Sequence, residues 1–260
     1  MTRTTDPTQV QPQGIEGRVA LVTGGAVRVG RAVALHLAAA GMDVAVTYRR
    51  SGAEARRVTS EIEGMGRRAA AIEIDLARPD AADELFEKFA ANFDGLHALV
   101  NNASTFIASA MGAIDVEAFD ASMAVNARAP LMLIQRFAAM LGADYPQRAG
   151  RVVNFIDIHV MGEPLAGYMA YNASKAALQE VTMTAAMELA PKVTVNAIAP
   201  GVVAWADSYS PQQRRQYLER VPLGRAGTPE DAAAAVLFLL RDAGYCTGQV
   251  IRLDGGRLLT

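Results

Sequence analysis

The sequence predicts an α/β chain: one doubly wound domain with a seven-stranded parallel sheet and helices on both faces. Three observations carry this. Short β-branched runs alternate with long alanine-rich helical stretches, the pattern of strands buried on both faces. The 260 residues, 51% of them hydrophobic, suffice for one large core. The alternation runs through the chain with neither an internal repeat nor a linker.

In order, strands are expected at residues 18–23, 43–48, 69–74, 98–101, 151–156, 194–198 and 249–253. Helices are expected at 30–40, 53–65, 81–93, 116–141, 169–189 and 229–241. Gly41 follows Leu37-Ala38-Ala39-Ala40 as a residue closing a helix would. Thr228-Pro229-Glu230-Asp231 supplies an N-cap, a proline at the first helical position and two carboxylates in the first turn. Residues 202–225 interrupt the alternation with Trp205, Tyr209 and Tyr217 on a glutamine- and arginine-rich background. A long excursion after a strand's C-terminal end is expected to be a substrate lid. Residues 1–14 are polar and read as a flexible N-terminal tail, which leaves 15–260 as the domain.

Composition excludes several classes. A formal net charge of -2 gives no footprint for nucleic acid or an acidic membrane. The single cysteine, Cys246, rules out an internal disulfide framework and fits a reducing compartment. No apolar run approaches the roughly 18 residues of a membrane span, so a cytoplasmic protein is expected. The eleven methionines read as gap-filling core.

The first strand runs into Thr23-Gly24-Gly25-Ala26-Val27-Arg28-Val29-Gly30 and then a helix. Glycines let the backbone turn tightly and approach a pyrophosphate, and the helix N-terminus presents free N–H groups. The spacing is not G-x-G-x-x-G, and glycines serving turn geometry alone are the bland alternative. At the start of a doubly wound pattern the loop points to a Rossmann-type dinucleotide site. The second strand ends in Tyr48-Arg49-Arg50-Ser51, where an NAD enzyme would place a carboxylate for the ribose hydroxyls. Guanidinium groups suit a phosphate monoester, so NADPH is the expected cofactor, with a solvated arginine pair as the alternative.

Tyr171-Asn172-Ala173-Ser174-Lys175 puts Tyr171 and Lys175 on one helix face, one turn apart. A phenol titrates near pH ~10, and an ammonium one turn away would stabilise its anion. Alone the spacing is common on alanine-rich helices; beside a nucleotide loop it points to a proton donor.

With these residues in hand, the chain resembles the short-chain dehydrogenases/reductases from Ile15 to its C-terminus. The ordered motifs are the Thr23–Gly30 loop, Asp75-Leu76, Asn101-Asn102-Ala103, Asn126, Tyr171 with Lys175, and Asn196-Ala197-Ile198-Ala199-Pro200-Gly201. The resemblance implies that Gly24, Arg28, Val29, Gly30, Asp75, Leu76, Asn102, Ala103 and Ser104 contact the cofactor. Asn101 and Ala103 would lie under its ribose, and Pro200 and Gly201 would shape the nicotinamide pocket. Asn126 would hold a water that relays protons to Lys175. Lys175 would bind the nicotinamide ribose and acidify Tyr171.

Three departures resemble the pteridine reductases of that superfamily, which include dihydromonapterin and dihydrofolate reductases. Arg28 stands for the middle glycine of the loop, Ser104 with Phe106 follows Asn101-Asn102-Ala103, and Asp157 stands where a serine is usual. The resemblance implies that Arg28 reaches phosphate and pterin, that Ser104 bonds nearby, that Phe106 stacks on the ring, and that Asp157 assists Tyr171. Tyr48-Arg49-Arg50-Ser51 resembles the clamp these enzymes place on the NADPH phosphate. The interval from Asp157 to Tyr171 is one residue longer than usual, so Ile158 could instead occupy the catalytic slot. His159 reads as a loop side chain, and no metal is implied.

The expected function is NADPH-dependent reduction of a C=N bond in a pterin- or folate-like substrate, with Asp157, Tyr171, Lys175 and Asn126 as the catalytic set. A carbonyl reductase of the same fold and a non-catalytic NADPH-binding protein are the alternatives. Family analogy further implies a homotetramer.

Overall fold

The computed structural model describes residues 14–141, 150–205 and 209–260. All but the last residue of the expected tail lies outside the described residues. Seven parallel strands form one sheet: β1 (Val19–Val22), β2 (Asp43–Tyr48), β3 (Ala69–Glu73), β4 (Ala98–Asn101), β5 (Gly150–Phe155), β6 (Val193–Pro200) and β7 (Val250–Leu253). Their order is β3-β2-β1-β4-β5-β6-β7. Register is continuous, for example Val22 beside Val46 on one side and Val100 on the other. Between β1 and β4 the strand order reverses, and doubly wound sheets open a ligand crevice at that point.

Strand alternation builds two cores. Ala20 and Val22 of β1 face one layer, with Val44, Val46 and Val100, against α1 (Arg28–Ala39), α2 (Gly52–Gly64) and α8 (Pro229–Arg241). Val19 and Leu21 face the other, with Leu99, Val152 and Val195, against α3 (Ala81–Ala90), α5 (Ala129–Met140) and α6 (Met169–Leu189). Successive side chains of a strand point to opposite faces, so near-continuous apolar strands are the consequence of two covered faces. At the start of α8 Thr228 and Asp231 form a capping box, and after α1 Gly41 takes φ +98°.

The helix expected over residues 116–141 is divided. α4 (Val116–Met123) leads into a π-helical turn at Ala124–Arg128 before α5 begins. Pro130 lacks the N–H that would bond the Asn126 carbonyl in a regular α-helix, and the backbone widens there. The excursion over 202–225 holds a helix not anticipated from sequence, α7 (Pro211–Leu218), opened by a Ser210/Gln213 capping box. None of its residues is buried, so it carries no apolar stripe by which a sequence pattern would reveal it.

Candidate active site

At the C-terminal ends of β1, β2, β4, β5 and β6 lies a cavity of about 720 Å³. One half is made of backbone. Thr23 Oγ1 accepts from the N–H groups of Asn102 and Ala103, each at 3.0 Å. Asn102 Nδ2 donates to the carbonyls of Thr23 (2.9 Å) and Gly24 (3.2 Å). The β1–α1 loop is thereby folded tightly on itself: a Cβ on Gly30 would lie 2.2 Å from the Gly24 oxygen. α1 has no side-chain cap and no acidic residue in its first turn, so its N-terminal amides stay available to an anion. Gly24, Arg28, Val29, Gly30, Tyr48, Arg49, Asp75, Leu76, Asn102 and Ala103 all line this half. A dinucleotide pyrophosphate fits such a cradle. Arg49 stands 3.9 Å from Asp75, while Arg50 and Ser51 lie just outside the wall. Asn101 departs from expectation: it is buried and donates to Asn154 Oδ1 at 2.8 Å, bridging β4 and β5 instead of lining the cavity.

Arg28 is the one described non-glycine residue with positive φ, +52°. The position suits glycine, and an L-residue there bears roughly 1–2 kcal/mol of strain. Its guanidinium crosses the cavity mouth to the carbonyls of Ala204 (2.9 Å) and Trp205 (3.1 Å).

The other half is made of side chains. Tyr171, Ser174, Lys175, Leu178 and Thr182 form the buried stripe of α6. Tyr171 Oη donates to Asp157 Oδ2 at 2.6 Å. Asp157 is fixed from its other oxygen, where Oδ1 accepts from the His159 N–H at 2.9 Å and caps a short 3₁₀ turn, Ile158–Val160. Beyond that cap Gly162 and Gly167 take positive φ, as the chain turns back toward α6. Ile158 is buried in the core, so Asp157 holds the slot beside the tyrosine. His159 Nδ1 lies 2.7 Å from the Glu163 carbonyl oxygen, as a loop side chain would.

The electrostatics differ from the sequence expectation. Burial first, then the Asp157 charge and hydrogen bond, push the Tyr171 phenol well above its ordinary value rather than acidifying it. Lys175 is fully buried, donates to the Phe155 carbonyl at 2.7 Å and stands 5.8 Å from the Tyr171 ring centroid. Desolvation lowers it to about 8, against the opposing pull of Asp157. The ammonium is thus turned onto a backbone oxygen, and burial, with Asp157 second, governs the phenol.

Asn126, buried within the π-turn, has its amide saturated by protein. Its Oδ1 accepts from Thr105 N (2.8 Å) and Ser104 Oγ (3.0 Å). Its Nδ2 donates to the Thr105 carbonyl (3.0 Å) and Ser174 Oγ (2.9 Å). The side chain pins the 104–105 turn to α6, which leaves only its backbone carbonyl for the expected water. Phe106 stacks on Tyr168 (4.2 Å between centroids, 15°) and meets Tyr171 edge-on at 4.8 Å. Pro200 and Gly201 line the cavity, and a Cβ on Gly201 would lie 2.7 Å from Tyr217 Oη.

Sequence reasoning missed Tyr168 and the outer-wall residues Glu163, Arg220 and Arg257. Tyr168 sits just before α6, and its being a second aromatic three residues from Tyr171 could have flagged it. Arg257 follows the last strand's C-terminal end, a position that commonly faces ligand in this architecture.

Residues 25–257 match a protein family described as enoyl-(acyl carrier protein) reductase, and the chain belongs to the short-chain dehydrogenase/reductase superfamily. It is 34% identical over 249 residues to a 3-oxoacyl-[acyl-carrier-protein] reductase of Synechocystis, covering 94% of this chain and 98% of that one. It is 36% identical to the enzyme of that name from Staphylococcus epidermidis, over 91% and 97% of the two chains. Among solved structures it is similar to the FolM alternative dihydrofolate reductase 1 of Brucella canis complexed with NADP. That match has a TM-score of 0.88 and 33% identity over 96% and 97% of the chains. Acetoin dehydrogenase from Enterobacter cloacae superposes with a TM-score of 0.83 and 32% identity, over 93% and 96%. The protein is therefore an NAD(P)-dependent oxidoreductase of this superfamily. Among the described residues no helix is long and apolar enough to cross a membrane.

Proposed function

We propose that the protein uses NADPH to reduce a C=N bond of a pterin- or folate-like heterocycle. The observation that carries this reading is the 2.6 Å hydrogen bond from Tyr171 to Asp157. A carboxylate only accepts hydrogen bonds, so a ligand beside it is favoured by N–H or O–H donors of its own. A pterin brings them in its ring plane, whereas a ketone oxygen would face a negative charge where two neutral donors serve it best. Phe106, 44% exposed beside Tyr168, offers an aromatic surface to a flat ring. The Brucella canis neighbour, a dihydrofolate reductase by its description, adds weight.

When bound, the reduced nicotinamide supplies a hydride to the ring carbon. Tyr171 is kept protonated by burial and by Asp157, so its proton is present when a strongly basic ring nitrogen appears beside it. Asp157 orients the phenol. Gly24, Gly30 and the first turn of α1 would hold the pyrophosphate, and Arg49 with Arg50 the 2′-phosphate. Ser104 and Arg28 would border the heterocycle, and the 202–225 segment would act as its lid.

The curated relatives favour a second reading, reduction of a 3-oxoacyl ketone. Substituting Asp157→Ser separates the two. Steady-state NADPH oxidation should fall for dihydropterin and hold or rise for a ketone. Unchanged dihydropterin kinetics would remove Asp157 from the chemistry, and a wild-type enzyme that turns over ketones but no pterin would leave the second reading standing.

A further inference from the structure

The outer wall of the cavity carries a charge cluster that the proposed chemistry does not use. Three segments distant in the chain meet there: Glu163 from the loop after β5, Arg220 from just beyond α7, and Arg257 from the turn after β7. Arg257 is buried, its side chain 6% exposed, and its fork takes both Glu163 oxygens, Nη1 to Oε2 at 2.7 Å and Nη2 to Oε1 at 3.1 Å. The same guanidinium lies over the Tyr217 ring, 5.5 Å from its centroid. One carboxylate thus answers one guanidinium in a bidentate pair. Arg220 reaches the same Oε1 at 2.7 Å, and its side chain is 49% exposed.

The other polar side chains nearby are turned elsewhere. Asp254 is turned into its own chain, accepting from the N–H groups of Gly256 and Leu258, both at 3.0 Å. Asp157 is committed to Tyr171 and His159. His159 turns Nδ1 to the Glu163 carbonyl. Arg220, half exposed and held by one contact to Glu163, keeps guanidinium N–H donors for a ligand in the cavity that it lines. Burial opposes the ionisation of Glu163, but hydrogen bonds from Arg257 and Arg220 outweigh it and hold the carboxyl below its usual value. Glu163 therefore stays charged as a fixed support.

We infer that Arg220, seated on the Glu163–Arg257 pair, receives an anionic tail of the substrate, a carboxylate or phosphate borne away from the reacting ring. The inference rests on the proposed placement of substrate in this half of the cavity, and it does not require that the ring be a pterin. Arg257, buried and bidentate, is a positioning residue, and Arg220 sets specificity.

Titration calorimetry on the protein with NADP⁺, so that no turnover intervenes, tests this with three ligands. Dihydrofolate carries a carboxylate tail, dihydrobiopterin has a neutral side chain, and acetoacetyl-coenzyme A bears phosphates. Arg220→Gln should weaken dihydrofolate about 10-fold more than dihydrobiopterin, the scale of one charged hydrogen bond, and Arg220→Lys should recover most of that difference. A selective loss for acetoacetyl-coenzyme A, with no pterin bound by the parent, would keep the inference and overturn the pterin reading. Equal loss for tailed and neutral ligands, no loss, or no recovery in Arg220→Lys would overturn the inference while leaving the pterin reading intact. Failure of the parent to bind either tailed ligand would overturn it as well.

Discussion

The two halves of the cavity are built from different materials. The half proposed for the dinucleotide is shaped mainly by backbone: an uncapped helix N-terminus, a loop closed by the Thr23 and Asn102 side chains, and a glycine at 30 with no room for a methyl group. The half proposed for the substrate is side chain: Asp157 on Tyr171, Phe106 on Tyr168, and Glu163 on Arg257 across 94 residues. A backbone site accepts any ligand with the right phosphates, whereas a side-chain site changes its ligand with a single substitution. The contrast explains how proteins 32–34% identical to this chain share its fold while bearing different substrate names, among them a 3-oxoacyl-[acyl-carrier-protein] reductase, a dihydrofolate reductase and an acetoin dehydrogenase.

That division can be broken experimentally. The largest effect should come from Tyr171→Phe, which keeps the ring and removes the proton. Turnover should fall ~10²-fold or more with cofactor affinity retained, measured by single-turnover kinetics beside NADPH titration. A parallel loss of NADPH binding would mean that the halves are not separable. Next, Arg50→Ala should weaken NADPH by ~1.5–3 kcal/mol and hardly touch NADH, in keeping with a charged hydrogen bond to the 2′-phosphate. Equal losses would assign the arginine to the fold.

Gly30→Ala sharpens the backbone side of the comparison. Its Cβ would meet the Gly24 oxygen at 2.2 Å, so the loop must shift. We expect ~1–3 kcal/mol of destabilisation in chemical denaturation, with weaker binding of NADPH and NADH alike. Retained affinity for both would show that the cradle tolerates widening.

The smallest effect is one of pH. Lys175 is lowered to about 8 in the fold from an ordinary value of 10.5. Its charge is present below about 8 and lost above it, so if a ribose hydroxyl needs the ammonium, kcat/KM should drop ~10-fold per unit above that point. The same shift has the opposite sign for stability. Between about 8 and 10.5 the unfolded chain binds the extra proton, so this group's contribution to stability rises with pH there. A flat rate profile from pH 7 to 9.5 would remove Lys175 from cofactor binding.

Legibility followed the same division. The strands, the glycine loop and the Tyr171/Lys175 pair were readable because each depends on local spacing: period two for strands, four for one helix face. The continuous helix expected over 116–141 failed at Pro130, where one missing N–H turns an α-helix into a π-turn. Asn101 was misplaced because strand pleating sends it to Asn154, while its neighbours Asn102 and Ala103 reach the cavity. Spacing does not encode the surroundings of the pair: Lys175 donates to the Phe155 carbonyl, and burial with Asp157 raises the phenol.

The amino-acid sequence by itself determined the doubly wound sheet, the glycine loop after the first strand and the Tyr171/Lys175 spacing, because hydrophobic period and glycine geometry act over a few residues. Only the tertiary structure decided which oxygen of Asp157 faces Tyr171, how Asn126 is saturated, and that Glu163, Arg220 and Arg257 form one wall. Those outcomes depend on which side chains from distant strand ends arrive at one point, and on the water excluded when they do.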